Sequence, residues 1–145
     1  MDFKKYENCI EACHICAAYC DKCATECLKE DNVKMMAECI RLNMQCAQIC
    51  RLAASFMAQE SEFAHEICRL CADICKKCGD ECEKHDASHC QECAQACHRC
   101  AEECASFKET LHKYDRCCLS ATGRAKYSFP LPARVLDETD LVCSG

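Results

Sequence analysis

The sequence predicts an all-α protein, an antiparallel up-down-up-down four-helix bundle with a cysteine-lined core. Three observations predict it. The first is the stretch in which Cys9, Cys13, Cys16, Cys20, Cys23 and Cys27 stand 4, 3, 4, 3 and 4 residues apart. That alternation averages about 3.5 residues, the period of the seam along which one helix meets others. The second is recurrence: comparable segments of about 25 residues follow, joined by short polar breaks that suit antiparallel neighbours. The third is composition. Gly (3) and Pro (2) are scarce while Ala, Glu and Lys are plentiful, so helix is the favoured local state. Leu, Ile, Val and Phe together number 23 in 145 residues, too few for an ordinary core, whereas Cys numbers 22. A neutral thiol behaves as a small buried hydrophobe, and this makes the bundle feasible.

The first helix is expected over about residues 4–29, with Tyr6 on the seam ahead of Cys9. Lys29-Glu-Asp-Asn32 breaks it, and Asp31 or Asn32 is placed to cap the next helix. The second helix spans about 32–58, and its seam reads Met36, Cys39, Asn43, Cys46, Cys50, Ala53, Met57. It is the least sulfur-rich face. Gln59-Glu-Ser61 turns the chain, with Ser61 as N-cap. The third helix, about 61–84, carries Ala64, Cys68, Cys71, Cys75, Cys78, Cys82 and His85 at the same spacing. After Lys84-His-Asp-Ala-Ser88, Ser88 and Gln91 match a capping box. The fourth helix, about 88–116, carries Cys90, Cys93, Cys97, Cys100, Cys104, Phe107, Leu111 and Tyr114. The segments 68–82 and 90–104 resemble each other and 9–27, as an internally repeated Cys-rich helix would.

The bundle is expected to occupy residues 1–118. From 119 to 145 the chain is aperiodic and interrupted by Pro130 and Pro132, an irregular tail that holds Cys143. Cys117 and Cys118, at the boundary, are not assigned to the core. The N-terminus has no apolar run of the kind a secretory signal needs, and no stretch approaches a membrane span. A cytoplasmic, reducing location is therefore expected, where thiols persist as thiols. The net charge of −6 argues against nucleic acid as a partner.

Nineteen cysteines on four seams make the interior a tube lined by sulfur, and several uses of such a tube compete. Cross-helix disulfides in such number would require very close backbones. Iron–sulfur motifs wrap their cluster with loops such as C-x2-C-x2-C-x3-C-P, and no such run occurs. Zn(II) takes four thiolates and leaves two net negative charges per site, costly inside a core without Lys or Arg. Cu(I) balances one thiolate per ion, and bridging sulfurs let each ion hold two or three ligands at that ratio. Soft thiolates select Cu(I). Binding would expel about one proton per metal, with a capacity on the order of nineteen ions, one per seam thiol. A thiol–disulfide redox module and a zinc or heavy-metal sequestration protein remain the alternatives. The former is disfavoured because no single C-x-x-C stands at a helix start after a strand.

The two ends of the tube differ. One gathers Met35, Met36, His85 and His89, soft or borderline ligands where metal is expected to enter, with Met36 and His85 on the seam itself. The other gathers Tyr6, Ala53, Met57, Ala64, Phe107, Leu111 and Tyr114, an apolar plug. His14 and His98 flank seam cysteines and read as structural, and Asn43 reads as a register-setting polar group. Ile10, Ile40, Ile49, Ile67 and Ile74 read as inter-helix packing.

The repeated C-x3-C-x2-C-x3-C-x2-C over roughly residues 5–114 resembles the bacterial copper storage proteins, the Cys-rich four-helix-bundle copper-binding group. The resemblance implies a non-enzymatic protein binding many Cu(I) ions along its core, assembled as a homotetramer and similar to the cytosolic branch. It carries a metal-binding role to Cys9, Cys13, Cys16, Cys20, Cys23 and Cys27 of the first helix, and to Cys39, Cys46 and Cys50 of the second. On the third and fourth it reaches Cys68, Cys71, Cys75, Cys78, Cys82, Cys90, Cys93, Cys97, Cys100 and Cys104. A copper chaperone or copper enzyme is then the expected partner.

Overall fold

A computed structural model describes residues 3–107. Four helices form within them: α1 (Glu7–Cys27), α2 (Ala37–Ala58), α3 (Ala64–Cys82) and α4 (Ser88–Ala105). A 3-10 turn precedes α1 at Phe3–Tyr6, and another precedes α2 at Val33–Met36. Each helix packs on its neighbours in sequence, and α4 closes the square against α1. Cross-helix sulfur pairs fix the directions. Cys9 meets Cys104 while Cys23 meets Cys90, so α1 and α4 run oppositely. In the same way Cys16 meets Cys46 while Cys27 meets Cys39, and Cys50 meets Cys71 while Cys39 meets Cys82.

The core is built from thiols and alanines. All nineteen seam cysteines are buried and free. Small residues stand directly beside them: Ala12, Ala17, Ala24, Ala47, Ala72 and Ala94 are buried at the helix contacts. With so little bulk there, the backbones approach until sulfur meets sulfur. The isoleucines complete the packing as expected, Ile49 buried and Ile10, Ile40, Ile67 and Ile74 half-buried against the core. Gly79 belongs to the same row on α3. A Cβ there would lie 2.8 Å from His98 Cε1, so the His98 ring occupies the space an alanine methyl would need.

The helix ends depart from the expected caps. No helix has a side-chain N-cap hydrogen bond. Asp31 and Asn32 precede a 3-10 turn, and its last residue, Met36, stands at the α2 N-cap. Ser61 lies ahead of α3, where its Oγ accepts from Phe63 N at 3.2 Å and its carbonyl from Ala64 N. The capping box at Ser88 is replaced: Ser88 is already helical, and Gln91 Nε2 donates to the carbonyls of Glu83 and His85. Gln91 thus ties α4 to the preceding turn. Helix α4 ends at Ala105, with Ser106 Oγ donating to Glu103 O at 2.7 Å. The expected continuation to residue 116, Leu111, Tyr114, Cys117, Cys118, Cys143 and the 1–118/119–145 boundary lie outside the described residues.

Candidate metal centre

The thiols form a continuous ladder. Cys16, Cys20, Cys46 and Cys97 have their sulfurs within 4.8 Å of one another, and so do Cys16, Cys46, Cys50 and Cys75. The next groups are Cys50, Cys71, Cys75 and Cys100, then Cys13, Cys71, Cys100 and Cys104. Each shares two cysteines with the one before: Cys16 and Cys46, then Cys50 and Cys75, then Cys71 and Cys100. A shared sulfur is a bridging ligand in waiting. The contacts inside the ladder are short, with Cys46–Cys75 and Cys50–Cys75 at 3.5 Å and Cys13–Cys100 at 3.6 Å.

Distance alone does not choose the metal. Zn–S bonds of about 2.3 Å give tetrahedral sulfur–sulfur edges of about 3.8 Å, which these groups also satisfy. Charge does choose. Asn43 is the sole buried polar or charged residue among those described, so nothing buried offsets a chain of doubly negative zinc sites.

Asn43 sits where the ladder approaches the Met/His end. Its Nδ2 donates to Cys39 O at 2.8 Å and lies 3.3 Å from Cys39 Sγ. Its Oδ1 accepts from Cys93 at 3.0 Å and Cys78 at 3.4 Å. Beyond it Cys23, Cys27, Cys39 and Cys90 make a further four-sulfur group. Burial pushes the Cys27 thiol up to about 11, and the charge of Cys39 adds to this. Burial likewise raises Cys90, with Cys39 and Cys27 adding to the shift. Without metal Cys27 and Cys90 hold their protons at neutral pH, so a metal bound there must displace them.

At this end His89 Nε2 lies 3.6 Å from Cys27 Sγ and 3.7 Å from Glu30 Oε1. His89 thus touches the sulfur directly, though it lies a step off the seam. Met36 is buried at 7% exposure, while Met35 is 68% exposed and points away from the core. His85 is largely buried, its Nε2 3.5 Å from Glu81 Oε1 and without a hydrogen-bond partner among the described residues. The opposite end is closed by Tyr6, Ala53, Met57 and Ala64, all buried, with the Phe107 ring tilted 45° to that of Tyr6 and its centroid 5.0 Å away. His65 joins these rings and was given no role by the spacing, because it stands beside the seam rather than on it. His14 is exposed, and His98 Nε2 lies 3.0 Å from Glu83 Oε1 outside the core.

A helical bundle whose interior is a column of edge-sharing thiol groups, with no buried Lys or Arg among the described residues, defines a class, the soft-metal thiolate stores. The sequence model of the copper storage protein family matches residues 2–109, and the chain belongs to that family. It is similar to a solved Cu(I)-bound copper storage protein, BsCsp3, at 53% identity and a TM-score of 0.68, over 70% of this chain and 96% of that one. The apo copper storage protein 3 of Bacillus subtilis is 52% identical with a TM-score of 0.65, over 70% and 96% of the two chains. A cytosolic copper storage protein of Streptomyces lividans, solved with five coppers, is 34% identical with a TM-score of 0.69, over 72% and 92%. No curated protein sequence matches the chain.

Proposed function

We propose that this protein is a non-enzymatic cytosolic store or buffer for Cu(I), holding on the order of one ion per core thiol. The observation that carries it is the chain of four-sulfur groups sharing two members at each step, in a core without compensating charge. Monovalent ions bridged by thiolates fill such a chain and leave it neutral. Divalent zinc does not, and the separate redox pair that a thiol–disulfide module needs is at odds with a ladder in which thiols are shared between neighbouring groups.

The nineteen seam cysteines are the ligands. Met36 and His85 receive the ion at the port, and the Cys27 contact adds His89 to them. A thiol-based or Met-based chaperone would hand Cu(I) to this end, and a copper enzyme would receive it. Exposed Met44 and Leu52 on the outer face of α2 support assembly with further copies, which we take to be a homotetramer. The selectivity test is native mass spectrometry of the reduced protein with Cu(I) and Zn(II) supplied together, without oxygen. The reading expects a broad ladder of many copper adducts and little retained zinc. Zinc adducts that persist at copper excess would replace it with the zinc-sequestration alternative.

A further inference from the structure

Two buried imidazole nitrogens lack a hydrogen-bond partner among the described residues: His85 Nε2 at the port and His65 Nδ1 at the far end. The first belongs to the port already described. The second lies at the end expected to be a purely apolar plug. Burying an imidazole nitrogen away from water without a partner is unfavourable, and native structures keep few such groups.

His65 stands three residues before Cys68, so the two side chains are neighbours on the surface of α3. Its ring lies edge-on to Tyr6 and to Phe107, with centroids 6.4 Å from each. Tyr6 precedes Cys9 by one helical step and Phe107 follows Cys104 by one, so these rings cover the last sulfur layer. In that layer Cys9 and Cys104 are 3.1 Å apart, and Cys68 interacts with both. Helix α2 brings Ala53 and Met57 to this end, and no cysteine. The last thiols therefore bridge inward only, and a metal held among them meets no thiolate on its outer side.

We propose that His65 Nδ1 supplies the outer donor of this last layer, making the far end a second terminus of the metal column, with Cu(I) held by His65 together with thiolates among Cys9, Cys68 and Cys104. This rests on the storage reading above. A neutral imidazole adds a ligand without adding charge, so the one-to-one balance of metal and thiolate is kept. The rings of Tyr6 and Phe107 screen the ion from water. Each thiol proton displaced by the metal leaves to solvent, and no redox change is involved.

The test uses the full-length reduced protein labelled with 15N-histidine and titrated with Cu(I) without oxygen. Long-range 1H–15N correlation follows each imidazole, and His65→Phe, which keeps the ring contacts, assigns the resonance. His65 Nδ1 is expected to move upfield at the last equivalents, separately from the port histidines. Loaded His65→Phe is expected to hold about one ion fewer against a chromophoric competitor. An Nδ1 resonance that keeps its apo position while the thiols fill would overturn this inference and leave storage standing. Loading that stops at a few ions in the unmodified chain would overturn both.

Discussion

Asn43 shows at the residue scale how the core departs from an ordinary one. Its amide and carbonyl are both used, toward Cys39 and toward Cys93 and Cys78, at full burial. Asn43→Ala removes these bonds and opens a small cavity, a cost of about 1–2 kcal/mol in the apo protein. Urea unfolding of the reduced apo protein checks this. Gly79 gives a second residue-scale prediction. Gly→Ala inside a helix normally stabilises by about 1 kcal/mol, but here the new methyl meets the His98 ring. In wild type the gain is cancelled as the ring is displaced from Glu83; in a His98→Ala background it appears in full. A double-mutant cycle by thermal unfolding should therefore give a coupling of about 1 kcal/mol. Sequence spacing placed every buried thiol. It could not see the Ala and Gly row as the reason the sulfurs touch, because small residues beside a seam read equally well as plain helix formers. His65 escaped for a similar reason: a histidine off the seam carries no periodic signal, and only the rings around it reveal its burial.

At the scale of elements, α2 is the thinnest contributor of sulfur yet holds the middle of the ladder. It brings three seam cysteines, and two of them, Cys46 and Cys50, belong to groups that share members on both sides. Removing a bridging sulfur unbinds more than its own equivalent of metal. The double variant Cys46→Ala/Cys50→Ala should lose more than about two Cu(I), whereas Cys68→Ala, at the far layer, should lose about one. Metal analysis after desalting against a competitor separates these outcomes; equal losses per thiol would contradict bridging. The helices themselves were legible from the 4-3 spacing, and their directions from the short breaks. Their ends were not. Ser88 looked like a cap, but Gln91 finds nearer acceptors in the carbonyls of Glu83 and His85, and the helix begins without one. The exposed ion pairs, such as Lys76 with Asp80 at 3.0 Å, add little to this frame.

At the scale of the whole molecule, the thiols that burial raises, Cys27 and Cys90, set one part of the response of the apo bundle to pH. The folded pKa of Cys27 is raised from 9.0 to about 11, so above pH 9 the unfolded chain releases protons that the folded one retains. The stability that this thiol contributes is therefore fully present below pH 9 and is lost as pH rises through 11. The melting temperature of the reduced apo protein should drop across that window, while the copper-loaded protein, whose thiolates are already ionised and metal-bound, should not follow it. The measurement that tests the central claim most directly is an anaerobic Cu(I) titration of the reduced protein, with a chromophoric ligand reporting free copper. The account predicts that on the order of nineteen ions, about one per core thiol, are withheld before the chromophore develops. Development after about one to four ions would contradict it, leaving most of the sulfur structural and the ladder without a cargo.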